Sequence, residues 1–254
     1  MKMTLAALTF AAFFLLCGAV WERSGKEHSP TPSDARGGSA PLVVKHSEDF
    51  EVTGNGQAEH WGAADWVAIP QRGSAETSKD TRLKALYSDT GIYFLFRCED
   101  ETLTATMQED FMDLWKEDVV EVFLWPEEDF PVYFEYELSP LNYELPILVP
   151  NNDGEYLGWR PWNYEGDRKT RHATSVQGGK KESGAEITSW TAEFYIPFAL
   201  LKPLGQVPPS PGTTWRANFY RVDHDGAGAP ATWEWQPTDT TFHRIEQFGT
   251  VRFD

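Results

Sequence analysis

Cysteine is nearly missing from this chain: of 254 residues only Cys17 and Cys98 carry a thiol, which excludes a disulfide framework and a cysteine-based metal site. Positive charge is scarce as well. Against 39 acidic residues stand 22 Lys and Arg, giving a formal charge of -17 and an isoelectric point near 4.7. A nucleic-acid partner is therefore not expected, and cations or neutral hydroxyl-rich ligands suit the surface better. His46, His60, His172, His224 and His243 are scattered, with no His-x-His or His-Glu-x-x-His spacing, which argues against a catalytic zinc. No Gly-x-Ser-x-Gly is present, and neither Gly37-Gly38 nor Gly178-Gly179 is followed by a helix, so nucleophile-elbow and phosphate-loop chemistry are both unsupported.

The long apolar run is confined to the start. Lys2 precedes a nearly continuous apolar stretch from Leu5 to Leu16, and Cys17-Gly-Ala19 supplies small residues at cleavage positions, so 1–20 reads as a secretory signal peptide. Secretion or a periplasmic location is the expectation. Two alternatives stay open: lipidation of Cys17, which would tie the protein to the cell envelope although Leu16 is bulky for a lipobox, and an uncleaved anchor. Residues 21–41 are rich in Ser, Gly, Pro and charge without periodicity and read as a flexible linker. One domain is expected over 42–254.

That domain is full of two-residue periodicity. Val120, Val122 and Leu124 alternate with Val119, Glu121 and Phe123; Val132, Phe134, Tyr136 and Leu138 alternate with Tyr133, Glu135 and Glu137. Further alternation marks strands around 83–87, 92–98, 190–196, 215–222, 233–235 and 248–253, with Ser88-Asp-Thr-Gly91 as a hairpin turn. Seven to eleven short strands with Gly, Pro and Asp turns, and no long amphipathic helix, predict an all-β fold: an antiparallel β-sandwich, immunoglobulin-like or jelly-roll-like, with long loops. Pro197 ends one strand, and Phe198 to Leu201 reads as a short helical turn. Residues 142–184 read as a long loop with one or two short strands, Ala173 to Val176 the best candidate; Trp159-Arg-Pro-Trp162 within it either stacks on a ligand or covers an open sheet edge.

Eleven tryptophans, several beside Pro, Glu, Asp or Arg, are more than a simple core needs. Trp115 precedes the strand that carries Glu121, with Asp118 between, a pattern that reads as an aromatic platform rimmed by carboxylates. Aromatic faces cover the C–H surface of a sugar while carboxylates and amides pair its hydroxyls, so a neutral sugar fits; a buried Trp beside a solvated acidic loop gives the same sequence. Glu121 and Glu135, brought together if the strands pair in simple register, have the residue types for glycoside hydrolysis, but nothing in the sequence marks either as an acid or a base. Asp100, Asp118, Asp223 and Asp225 are loop carboxylates with the oxygen chemistry of calcium but no fixed loop motif. Axial haem ligation would fall to Met107, Met112 or His243.

Six segments in order carry a resemblance: Thr81-Arg-Leu-Lys-Ala-Leu-Tyr87, Gly91-Ile-Tyr-Phe-Leu-Phe-Arg-Cys-Glu-Asp100, Leu114-Trp-Lys-Glu-Asp-Val-Val-Glu-Val-Phe123, Thr191-Ala-Glu-Phe-Tyr-Ile-Pro-Phe198, Trp215-Arg-Ala-Asn-Phe-Tyr-Arg221 and Phe248-Gly249. Over 42–254 the chain resembles the family 9 carbohydrate-binding modules and their family 9-like relatives. The resemblance implies a β-sandwich that binds an oligo- or polysaccharide of plant or microbial origin without catalysis, as a monomer, with no required cofactor and with a structural calcium in some members. In xylanase-linked members two Trp rings clamp the reducing end of a glucan or xylan. By that likeness Trp115 is one clamp residue and Glu121 a carboxylate on the sugar hydroxyls; Phe242 takes the place of the second Trp, Asp239 lies near a polar contact, and Glu135 stands where those modules carry an Arg. Trp235 joins these as a candidate ligand-binding aromatic. The alternative is an accessory β-sandwich whose sugar site is lost or altered.

Overall fold

A strand with bulky side chains on both faces needs cover on both, and this chain provides it with two stacked layers and loops folded over their outsides. The structure is a computed structural model that describes residues 40–73, 79–152, 154–225 and 228–254. The expected signal peptide, Cys17 and nearly all of the linker lie outside the described residues.

One layer is built from β3 (Thr81–Tyr87), β4 (Gly91–Glu99), β10 (Arg171–Gln177) and β11 (Ser189–Pro197), with the short β2 (Val67–Ala68) at its side. The other contains β5 (Val119–Trp125), β6 (Val132–Leu138), β7 (Glu144–Asn152), β12 (Thr214–Asp223) and β14 (Gly249–Phe253), fringed by β8 (Glu155–Tyr156), β9 (Arg160–Pro161) and β13 (Ala231–Glu234). The first strand, β1 (Leu42–His46), joins them: Leu42 to Val44 pair with β14 and Lys45 and His46 pair with β3. The hydrogen-bonded path runs β10-β11-β4-β3-β1-β14-β12-β5-β6-β7-β8 and does not close. Both β1 pairings are parallel, the one departure from the antiparallel expectation.

The predicted alternation sets the core. Leu83, Phe94, Phe96, Cys98, Trp190 and Phe194 of one layer meet Val120, Val122, Phe134, Tyr136, Trp215 and Phe219 of the other, all fully or almost fully buried. Burial of each such side chain contributes roughly 1.5–3 kcal/mol. Cys98 is a small core residue, and burial pushes its thiol up to about 12, too high for nucleophilic work. The hairpins β3–β4 and β5–β6 form as their turns imply, and Phe198–Leu201 makes the single α-helical turn, α1, among the described residues.

β7 is where the sequence misleads. Two prolines inside Leu-Pro-Ile-Leu-Val-Pro argue for a loop, yet 144–152 is a nine-residue strand, paired with β6 over 144–150 and with β8 at Asn151 and Asn152. Pro146 and Pro150 both turn their backbone away from β6. The Pro146 carbonyl accepts from Trp162 N at 2.9 Å and the Pro150 carbonyl from Leu157 N at 3.2 Å, so the missing N–H groups cost no ladder bond.

The outer face of the first layer is closed by residues 50–64. Phe50 stacks on Tyr93 with centroids 4.2 Å apart, and Trp61 is buried beside it. The anchor is Glu193, itself fully buried, whose carboxylate accepts from Gly54 N (2.7 Å), Trp61 Nε1 (2.8 Å), Thr53 N (3.1 Å) and Gly56 N (3.3 Å). Removing it strands several buried donors. Glu193→Ala is expected to cost about 2–4 kcal/mol, read as a lowered urea midpoint; an unchanged midpoint would show that this segment is not pinned there.

Candidate functional site

The outer face of the second layer is different. Strand register places Tyr220, Glu121, Glu137 and Leu145 in one row across β12, β5, β6 and β7, and Asn218, Phe123, Glu135 and Ile147 in the next. Glu121 therefore sits directly opposite Glu137, with Glu135 one row further on, opposite Phe123. The expected neighbourhood of Glu121 and Glu135 is correct in face but misses Glu137, a residue that strict alternation had placed on the same side.

Three segments rise over these rows: the 3-10 turn Leu114–Lys116, the β8–β9 region and the loop 235–248 that ends in the 3-10 turn Ile245–Gln247. Between them lies a cavity of roughly 350 Å³. Glu121, Phe123, Glu135 and Ile147 form its floor, and Trp115, Tyr156, Trp159, Phe242 and His243 contribute walls. Pro230, Thr232, Val222 and Thr241 complete it.

Each wall is held by something specific. Phe242 stacks on Tyr220 at 4.0 Å and 13°, and Tyr220 Oη donates to the Phe242 carbonyl at 2.8 Å. Trp159 meets Trp115 edge to face, centroids 5.7 Å apart. Tyr156 stacks on His243 at 4.3 Å, while Tyr133 Oη and His243 Nδ1 share a 2.5 Å hydrogen bond. Burial pushes His243 down to about 4, so this imidazole is neutral at ordinary pH. It is held between two tyrosines on the cavity wall. Of the two alternatives for 159–162, cover of a sheet edge is what the structure shows: Arg160 and Pro161 pair with β7, while Trp159 lines the cavity and Trp162 packs on the inner core with Nε1 donating to Leu200 O at 3.0 Å.

The floor carries the electrostatic tension. Glu121, Glu135 and Glu137 are 2%, 4% and 0% exposed. Burial raises Glu121 to about 8 and Glu135 and Glu137 well above the ordinary carboxylate range, and the charge of Glu121 pushes both of the others further up. Both carboxyl oxygens of Glu137 are buried without a hydrogen-bond partner. Glu135 Oε2 likewise has no hydrogen-bond donor, His243 Nδ1 lying 3.8 Å away. Three adjacent carboxyl groups beneath aromatic walls can act as O–H donors while protonated, or as a strong acceptor set if a ligand brings positive charge.

Other sequence candidates fall elsewhere. Trp235 packs inward against Phe219 at 5.1 Å and lies against Gly249, where an added Cβ would meet its ring at 2.4 Å; it does not line the cavity. Asp239 also lies outside the lining, largely exposed and 3.7 Å from Arg244. Asp118 is no rim carboxylate but a buried one, accepting from Thr104 N at 2.6 Å and His224 N at 2.8 Å, with burial raising it to about 8 against those two bonds. Short-range neighbours decide these positions, and the sequence pattern does not contain them.

Of the four carboxylates with calcium chemistry, Asp100, Asp223 and Asp225 bring ligand atoms within 4.8 Å of one another, the one such group among the described residues, and Asp118 is not part of it. Cations already occupy it. Lys79 Nζ lies 3.3 Å from Asp100 and 3.1 Å from Asp223 and also pairs with Asp225, while the buried Arg221 bonds Asp223 at 2.7 Å and Asp100 at 3.1 Å. With an ammonium and a guanidinium on these oxygens, the donor set as built does not fit a calcium ion.

The sequence profile of the carbohydrate family 9 binding domain-like family matches residues 52–254. No curated protein matches the sequence. Among solved structures, a protein from Bacteroides uniformis ATCC 8492, provisionally described as carbohydrate-binding, superposes with a TM-score of 0.67 at 18% identity, covering 84% of this chain and 99% of that one. A family 9 carbohydrate-binding module from Caldicellulosiruptor kristjanssonii in complex with cellotriose gives 0.60 at 16% identity over 85% and 94% of the two chains, and the same organism's module with glucose gives 0.59 at 16% over 84% and 95%. These likenesses are of fold.

Two outcomes follow from the buried charges. Glu121 and Asp118 have folded-state values raised to about 8 from 4.5 and 3.8, so their contribution is present at low pH and lost as pH climbs through about 8. The melting temperature is expected to fall between about pH 5 and pH 9, with Glu121→Gln making the slope shallower; a melting temperature that climbs across that window would contradict the assignment. Lys79→Ala removes the ammonium shared by three aspartates and is expected to lose about 2 kcal/mol in chemical denaturation, with added calcium recovering part of the loss in the variant only.

Proposed function

Because the chain belongs to the carbohydrate family 9 binding domain-like family, we propose that it binds carbohydrate without catalysis, at the cavity between Trp115 and Phe242. The observation that carries this reading is the convergence of Trp115, Phe242, Trp159 and Tyr156 with Glu121 and Glu135 on one cavity of roughly 350 Å³, the size and mixed lining of a small-ligand pocket. A pyranose presents an apolar C–H face and a rim of hydroxyls. Trp115 and Phe242 serve as the clamp on the apolar face, and Glu121 and Glu135 meet the rim.

Hydrolysis is disfavoured by the placement of the carboxyls. Glycosidases flank the scissile bond with an acid on one side and a nucleophile or base on the other. Glu121 and Glu135 belong to adjacent strands and the same sheet face, so both approach a bound ring from beneath. The bound solved relatives, a family 9 module with cellotriose and one with glucose, agree with a binding role. The signal-like stretch 1–20 supports a role outside the cytoplasm, where a polysaccharide ligand would be met.

Calorimetric titration of residues 42–254 against a panel of mono- and oligosaccharides tests the proposal. Binding is expected, and Trp115→Ala should weaken it by about 1–3 kcal/mol, as for a buried aromatic anchor. Absence of binding to every sugar in the panel would reject the function; binding unaffected by the substitution would place the site elsewhere.

A further inference from the structure

The cavity is rich in acceptors and poor in cations. Among the described residues no Lys or Arg lines it. Lys116 lies over the Trp115 ring but is paired with Asp113 on the outside, and His243 is neutral and engaged by Tyr133. Facing the cavity from below are Glu121 of β5 and Glu135 of β6, with Glu137 immediately behind; the other titratable groups against them are Tyr133, Tyr220 and Tyr156, each raised by burial and so uncharged. Glu135 is nine-tenths buried and more, opens on the cavity and has an Oε2 with no hydrogen-bond partner, the neutral His243 lying 3.8 Å from it.

A neutral hydroxyl is both donor and acceptor, and it leaves such a floor to keep its protons. An ammonium supplies three donors and no acceptor, and it is attracted by the faces of Trp, Tyr and Phe. Glu121, Glu135 and Glu137 do not form a three-ligand cluster of the kind that Asp100, Asp223 and Asp225 make, the one such group among the described residues.

We propose that the site selects a cationic sugar: a hexosamine residue with a free amine, its ammonium received by Glu121 and Glu135 and its ring held by Trp115 and Phe242. This rests on the carbohydrate-binding reading and narrows it. Binding exchanges a carboxyl proton for the ligand's ammonium, so the proton leaves to solvent and the charge is balanced in place.

The probes are three β-1,4-linked dimers that differ at C2: cellobiose with hydroxyl, the glucosamine dimer with ammonium, and the N-acetylglucosamine dimer with a neutral amide. At about pH 6 the glucosamine dimer is expected to bind at least about tenfold tighter than either of the others, with about one proton released per ligand when titrations are repeated in buffers of different ionisation heat. Glu135→Gln should bring the ratio of amine to neutral affinity close to one. Equal or tighter binding of cellobiose, or titration without proton release, overturns the cationic preference and leaves carbohydrate binding standing. Choline binding as tightly as the glucosamine dimer overturns the sugar requirement, and failure of all three dimers removes both readings.

Discussion

A carboxyl group taken out of water must find donors, keep a proton or meet a cation, and this protein uses each of those answers in a different place. Glu193 is surrounded by backbone amides and an indole N–H, and it ties a long covering segment to one layer. Asp100 and Asp223 are met by Lys79 and the buried Arg221. Glu121, Glu135 and Glu137 receive little of either kind and keep their protons. Stability explains the first two arrangements directly. The third weakens the fold as pH rises, which is the mark of a group retained for something other than folding.

The sheet makes that placement inevitable once the register is set. With a two-residue repeat, every residue that sends Val120 and Val122 into the core sends Glu121 outward, and the antiparallel ladder brings Glu137 and Glu135 beside it. The aromatic walls come from segments far apart in sequence, near 115, 156–159 and 242, and they converge because all three cross the same face. The extra length between β6 and β10 thereby does two things: it completes the layer with β7 and supplies Tyr156 and Trp159 to the cavity.

The walls of the cavity are held in place by their own neighbours. Phe242 is stacked on Tyr220 and hydrogen-bonded through its carbonyl, Tyr156 is stacked on His243, and Trp159 braces Trp115. Rings already packed against neighbours lose little rotamer freedom when a ligand arrives. The cost of desolvating the floor has been met on folding, so a ligand that restores charge balance gains more there than it would at the surface.

The sequence by itself determined the β-sandwich, its inner faces and its two main hairpins, because alternation is local and written residue by residue, while Trp115, Glu121, Glu135 and Phe242 came together as candidates through the family resemblance. It could not reveal β7, since whether a proline breaks a strand depends on which way its backbone faces a partner. Nor could it separate Trp235 from Trp115, or Asp118 from Glu121, for each pair is alike in type and differs only in what surrounds it. Only the tertiary structure decided that Trp235 turns to the core, that Asp118 is satisfied by two amides, and that Glu137 stands opposite Glu121. Burial and hydrogen-bond supply are properties of the packed assembly, and they are what distinguish a carboxyl that holds the fold together from one left without donors.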